Sequence, residues 1–179
     1  FNMAITINGS GTVTGLAVGG LPDGTVDAGT LAVNSRGTVL QVVSQSSSAL
    51  ETSSTTYADM YSATITPSST SSKILVMVTN HIFVGADSNN TWRAALIILL
   101  RGATTIHSDL DSYGEGAYLA NDSDRYMTYS SFHLLDSPAT TSATVYKLQG
   151  KSKTTSATMS FNNTGYGAGG AITLMEIAG

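Results

Sequence analysis

The 179-residue sequence contains no cysteine, which excludes a disulfide framework, a thiolate zinc site and a cysteine nucleophile, and leaves the compartment open. Charge is scarce too. Asp, Glu, Lys and Arg make up 11% of the chain, against about 25% in an average soluble protein, so solubility rests on Ser, Thr, Asn and Gly. The eight Lys and Arg are scattered singly, the net charge is −4 and the pI is about 5.1. No basic stripe exists to neutralise a phosphate backbone, and nucleic acid is not an expected partner. No apolar run approaches the ~20 residues of a membrane-spanning helix, and no basic region followed by an apolar segment stands at the N-terminus. Neither membrane insertion nor a signal peptide is expected. The chain opens on Phe1 and reads as the ordered part of something longer.

What is present is organised around the most apolar stretch, Trp92 to Arg101 (WRAALIILLR). Spaced by two, Trp92, Ala94, Leu96, Ile98 and Leu100 form one face, while Arg93 and Arg101 bracket Ala95, Ile97 and Leu99 on the other. Its length, the turn-like Ser88-Asn89-Asn90 before it and Arg101-Gly102 after it point to a central strand. A buried helix is the alternative, because the Ala-Ala-Leu centre has good helix propensity. A strand dry on both faces needs a second sheet or a second subunit to cover it.

Residues 1–37 are short β-prone pieces, Ala4 to Ile7 and Thr12 to Thr14 among them, punctuated by glycines and too short to bury a core within one chain. Asp27 is an N-cap candidate for one or two helical turns over Ala28 to Ala32. From residue 38 the texture changes. Strands are expected at Thr38 to Val43, Tyr57 to Thr66, Lys73 to Val84, Trp92 to Arg101, Ala103 to His107, Tyr126 to Leu135, Ala143 to Gly150, Ala157 to Phe161 and Ala171 to Ala178. Ser44 to Thr56, where nine of thirteen residues are Ser or Thr, reads as a polar surface loop, and Ser108 to Asp124 as a long acidic one. Along Lys73 to Val84, Ile74, Val76, Val78, Ile82 and Val84 share one face, and the opposite face of Leu75, Met77, Thr79, His81 and Phe83 is again too apolar for free water. Eight or nine strands at intervals of about 10 to 20 residues predict an all-β fold, an eight-stranded jelly-roll β-sandwich head over 38–179 preceded by a short Gly-rich β stalk over 1–37.

The Gly-rich entry ITINGSGTVTGLAVGGLPDGTVDAGTLA, then GTVLQVVS, ITPSSTSSKILVMV, ALIILLRGATTI, DSPATTSATVYKLQ and the closing ITLMEIAG together resemble the distal part of bacteriophage tail-fibre and related virion structural proteins. That resemblance implies a virion component, made in the host cytoplasm. It further implies a homotrimer, with an intertwined β-rich stalk and a head similar to the C1q and tumour-necrosis-factor jelly rolls. The implied partners are other copies of the chain, upstream fibre or other virion proteins, and a host cell-surface glycan or protein. A purely structural virion component is the alternative.

Chemistry-bearing residues are few. His81, His107 and His133 lie on three separate predicted strands, so no local pair has metal-ligand spacing. In a trimer, His81 on the threefold axis would recur three times around one point and could bind a metal. Asp109-Leu110-Asp111-Ser112-Tyr113-Gly114 has the alternate carboxylates of a calcium loop but lacks its helical flanks and its closing Glu, leaving at most a looser oxygen site of Asp109, Asp111, Asp122 or Asp124. No nucleophile elbow, phosphate loop or dinucleotide fingerprint stands in its required setting. The expectation is therefore a non-enzymatic protein with no cofactor. Polysaccharide cleavage by carboxylates that converge only in the fold is the alternative, with Glu51, Glu115 and Glu176 as the only glutamates. Aromatic rings beside Asp, Asn and Ser suit sugar or protein recognition, the ring covering C–H surface while polar groups read hydroxyls. On that ground the expected ligand-binding residues are Asp87, Asn89, Asn90, Trp92, Tyr113, Tyr118, Asp122, Asn163 and Tyr166, on three loops.

Overall fold

The alternating runs become strands, and no α-helix occurs among the residues described. These are residues 6–7, 13–14, 38–85, 93–108, 118–119, 126–163, 165 and 169–179 of a computed structural model of the chain. The backbone separates into two units, residues 1–35 and 36–179. Within the first, β1 (Thr6–Ile7) pairs antiparallel with β2 (Val13–Thr14), inside the two β-prone pieces read from the sequence. The helical turns expected after Asp27 lie outside the described residues.

The second unit contains β3 (Val39–Ser46), β4 (Leu50–Thr52), β5 (Ala58–Ile65), β6 (Lys73–Val84), β7 (Arg93–Arg101), β8 (Thr104–Ser108), β9 (Tyr118–Leu119), β10 (Tyr126–Asp136), β11 (Thr144–Ser152), β12 (Met159–Phe161) and β13 (Ala171–Ile177). One sheet runs β3-β13-β6, with β10 on the other edge of β6. The other runs β5-β11-β7-β8. The short strands β4 and β12 extend the first sheet, and β9 pairs with the start of β7. Every pairing is antiparallel.

The connectivity is that of one long hairpin rolled into two sheets. Of the eight main strands in chain order, the first (β3) pairs with the eighth (β13) and the second (β5) with the seventh (β11). The third (β6) pairs with the sixth (β10), and the fourth (β7) with the fifth (β8). Rolling closes through β13–β6 and β11–β7. This is the jelly roll expected from the strand count.

The core lies between the sheets. Ile74, Val76, Val78, Ile82 and Val84 of β6, Ile172 and Leu174 of β13, and Phe161 of β12 meet Ile97 and Leu99 of β7 and Tyr146 and Leu148 of β11, all buried. Burial of each such side chain contributes roughly 1.5–3 kcal/mol. A register shift at Leu148/Gln149 leaves Met60 of β5 without a partner in the ladder, and this bulge turns both Met60 and the adjacent Tyr61 into the core. Gly150 of β11 makes room for that crowding, since a Cβ there would lie 2.9 Å from Met60 Sδ and 2.9 Å from the Phe161 ring.

Two readings of the sequence are corrected. Ser44 to Thr56 is not all loop, because β3 continues to Ser46 and Leu50–Thr52 forms β4 on the edge of β12. Its one large apolar residue, Leu50, packs against the core, and the rest of the strand is held by its neighbour's backbone. Tyr118–Leu119, within the expected acidic loop, forms β9.

One end of the sandwich is closed by Glu176, fully buried at the end of β13. Its carboxylate accepts from Gln41 Nε2 at 2.6 Å, Ser68 N at 2.7 Å and Ser68 Oγ at 2.6 Å. Burial alone would raise its pKa, but these donors outweigh it and hold the carboxyl at about 2. A folded-state pKa below the unfolded value contributes stability that is complete above about pH 4.5 and lost as pH falls towards 2, amounting to about 3 kcal/mol. Acid unfolding followed by circular dichroism is expected to begin in that window, and Glu176→Gln is expected to flatten the pH dependence there. Gly150→Val is expected to destabilise the fold by about 1–3 kcal/mol through overpacking, read as a lowered Tm.

Candidate functional site

The two sheets present opposite kinds of outer surface. On the β5-β11-β7-β8 sheet, Lys147 Nζ pairs with Asp59 Oδ2 at 3.0 Å, Gln149 Nε2 donates to Asp59 Oδ1 at 2.6 Å, and Lys151 Nζ stands 4.4 Å from the centre of the Tyr57 ring. These partners hold Asp59 below its ordinary pKa, the Gln149 hydrogen bond first. The outer residues of β7, Ala94, Leu96 and Ile98, are already buried within the single chain, Leu96 to 2% exposure. The strand that by sequence needs outside cover on its second face therefore has it from its own chain.

The bare surface is the outer face of the β3-β13-β6-β10 sheet. Antiparallel register aligns its side chains in rows across four strands. Val42 faces Met175, Met175 faces Leu75 and Leu75 faces Leu135, an apolar row from one edge of the sheet to the other. The next row is Ser44, Thr173, Met77 and His133, and the third is Ser46, Ala171, Thr79 and Ser131. Further along β6 come His81 opposite Tyr129 and Phe83 opposite Met127. Val42 and Met127 are each 55% exposed, Leu135 is 54% and Tyr129 63%.

At 4.8 Å between strands and 3.4 Å per residue the face covers roughly 500 Å². One row of it is apolar, and the next two are mostly Ser and Thr. Its only charged residues among those described are at its corners, Lys73 beside Ile177 and Glu51 beside Ser160. A shallow depression of about 220 Å³, lined by Met77, Thr79, Ser131 and His133, lies at its centre.

The three histidines do different work. His81 is buried on this face, its ring edge-on to Tyr129 at 5.2 Å between centroids, and its backbone N–H donates to Asn162 Oδ1 at 2.9 Å. Being covered by Tyr129, it is a packed residue of the sheet. His107 of β8 stacks on Phe132 of β10 at 4.2 Å, joining the outermost strands of the two sheets among the described residues. His133 is exposed. No group of three metal-ligating side chains occurs among the described residues.

Of the residues expected to bind a ligand, Asn163 is described and is taken up locally. Its Nδ2 donates to Glu51 Oε1 at 2.5 Å and its Oδ1 accepts from Gly165 N at 2.8 Å, an Asx turn that starts the loop before β13. Glu51 also accepts from Ser160 Oγ at 2.8 Å. Of the glutamates considered for glycoside cleavage, Glu51 and Glu176 are thus each engaged by neutral donors at separate parts of the first sheet. Asp87, Asn89, Asn90, Trp92, Tyr113, Asp122, Tyr166, Glu115, and Asp109, Asp111 and Asp124 lie outside the described residues. Tyr118 is described only as backbone in β9.

The residues that make the open face, Val42, Met175 and Leu135 above all, are not among those expected from sequence. Alternation marks each as one side of its own strand, but the row exists only in the register. No helix among the described residues is long and apolar enough to cross a membrane.

No family model and no curated protein matches the chain. Among solved structures it is similar to one of infectious bursal disease virus Gx strain, at 12% identity and a TM-score of 0.36 over 78% of this chain and 38% of that one. It is similar also to the VP2 subviral particle of infectious bursal disease virus, at 12% identity and a TM-score of 0.35 over 76% and 38%. The chain spans under two fifths of the length of either.

Proposed function

We propose that the chain is a non-enzymatic structural component of a virion, the head of a bacteriophage tail fibre that assembles as a homotrimer and meets the host surface. The observation that carries this reading is the uncharged outer face of the β3-β13-β6-β10 sheet, with its apolar row of Val42, Met175, Leu75 and Leu135. A sheet face of this kind is stable in water when other copies of the chain cover its exposed apolar row. The jelly-roll topology and the sequence resemblance to distal tail-fibre proteins support the same reading. Host contact falls to loops at the ends of the sandwich, where three copies would act together through effective concentration.

Light scattering on residues 1–179 is expected to give a mass near three times 18.5 kDa. Leu135→Glu and Val42→Glu, each placing a carboxylate on an already exposed position, are expected to give single chains with unchanged circular dichroism. Val145→Glu, exposed on the opposite sheet, is expected to remain trimeric. A wild-type monomer, or charged variants that still form trimers, would refute the assignment.

A further inference from the structure

A pocket of about 310 Å³, at the lower end of the size range of small-molecule sites, lies where the β10–β11 loop meets the β7–β8 turn, lined by Arg101, Pro138, Thr140, Ser142, Thr144 and Val145. Its loop is fixed by its own hydroxyls. Ser142 N donates to Thr140 Oγ1 at 3.1 Å, and Thr144 Oγ1 donates to Ser142 O at 3.0 Å. Ala139, between Pro138 and Thr140, is held at φ 53°, a left-handed conformation rare for a residue with a Cβ, and strain of this kind gathers at binding sites. The one charged side chain of the lining among the described residues, Arg101, is braced from behind. The fully buried Tyr146 donates to Asp136 Oδ2 at 2.6 Å, both Asp136 oxygens accept from Arg101 Nη1 at 2.7 and 2.9 Å, and Ser137 O accepts from the same nitrogen at 3.3 Å. Every hydrogen bond of Arg101 among the described residues leaves from Nη1. The N–H groups of Nε and Nη2 remain for a ligand, on a side chain that is 30% exposed.

We infer that this pocket binds an acidic sugar, one whose ring carries a carboxylate. Nε and Nη2 of a guanidinium present parallel N–H groups, the fork that matches the two oxygens of a carboxylate. Because Nη1 is already tied to Asp136 and Ser137, the fork is set before the ligand arrives and little side-chain entropy is lost on binding. The hydroxyls of Thr140, Ser142 and Thr144 suit the hydroxyls of a sugar ring, and Pro138 and Val145 offer hydrocarbon to its C–H surface. No carboxylate lines the pocket, so the site is richer in donors than a neutral sugar requires. Asp136 cancels the charge of Arg101 and no second cation lines the pocket, which favours a singly charged carboxylate over a doubly charged phosphate. The site is built within one chain and does not depend on the trimer, while its use as a host contact rests on the reading above.

The test is titration of the full 179-residue chain with glucuronic acid, glucose and inorganic phosphate, followed by amide chemical shifts in NMR spectra. Glucuronic acid is expected to shift the amides of Gly102 and of the β10–β11 loop, and to bind roughly 10- to 100-fold more tightly than glucose, the difference a charge-assisted pair makes. Phosphate is expected to bind more weakly than glucuronic acid. Arg101→Lys keeps the charge beside Asp136 but not the fork, and Ser142→Asp puts a carboxylate on an exposed lining position away from the Asp136 tie. Each is expected to weaken glucuronic acid binding by about tenfold or more with unchanged circular dichroism. Lys147→Gln, which removes a cation from the outer face of the β5-β11-β7-β8 sheet, is expected to leave binding unchanged. Glucose or phosphate binding as tightly as glucuronic acid, binding that survives both pocket variants, or no shift with glucuronic acid overturns the inference. A wild type that is a single chain by light scattering refutes the trimer and leaves this site as it stands.

Discussion

The fold depends on how one strand is shared. β6 runs for twelve residues, and along one edge it is paired from Ile74 to Val84 by β10 alone. Its other edge is divided, β13 taking Lys73 to Thr79 and β12 taking Ile82 to Val84. At the division Asn80 and His81 have no strand beside them, and buried backbone groups left without partners would each cost about 1–3 kcal/mol. Asn162, just past β12, supplies what is missing. Its Oδ1 accepts from His81 N, its own N donates to His81 O, and its Nδ2 reaches Asn80 Oδ1, which also accepts from Tyr61 OH at 2.6 Å. Asn162 does this at φ 53°, a left-handed conformation that Asn adopts more readily than most residues. One amide side chain thus stands in for a segment of strand and lets a single long strand carry two short neighbours.

Both sheets are then tied by groups at their ends. Asp136, at the end of β10, accepts both hydrogen bonds of its pair with Arg101 through Nη1, at 2.7 and 2.9 Å, and a third from Tyr146 OH at 2.6 Å. Arg101 ends β7 and Tyr146 lies on β11, so one carboxylate of the first sheet holds two strands of the second. Burial, with Asp136 beside it, pushes the Tyr146 phenol up, so it stays a donor throughout the physiological range. Glu176 does the corresponding work between β13, β3 and the turn at Ser68, using neutral donors alone. Each buried carboxylate has its acceptors filled, which is the condition for burial without a large cost.

Much of this was legible in the sequence. β6 occupies the residues expected for it, because an unbroken alternation is bounded by the Ser68 to Ser72 turn, and the two-sided apolar character of β7 marked it as central. β4 was hidden because a strand with one large apolar residue in a Ser/Thr tract owes its existence to β12, whose pairing with it is not local. Asn162 was hidden for a related reason, since its role belongs to a gap between two strands. The open face was half visible. Leu75 and Met77 stood out as apolar residues on the second side of β6, but Val42, Met175 and Leu135 join them only through register, from strands far apart in the chain. The expected need for outside cover fell partly on the wrong strand, because alternation shows that a face is apolar and not whether the chain already covers it.

The exposure of the first sheet is concentrated on β10, and this gives a second argument for association at the level of the backbone. β10 is eleven residues long, and among the described residues it pairs with β6 alone, leaving the N–H and C=O groups of its other edge without a described strand beside them. Edge strands of soluble proteins are commonly blunted by Lys, Pro or a charge. Over Tyr126–Asp136 there is no Lys or Pro, and the one charged residue, Asp136, is committed to Arg101 and Tyr146. A long uncharged edge that also carries Met127, Tyr129 and Leu135 would invite random pairing in a free chain. In the proposed assembly, copies of the same chain would cover the apolar face and restrict access to this edge together.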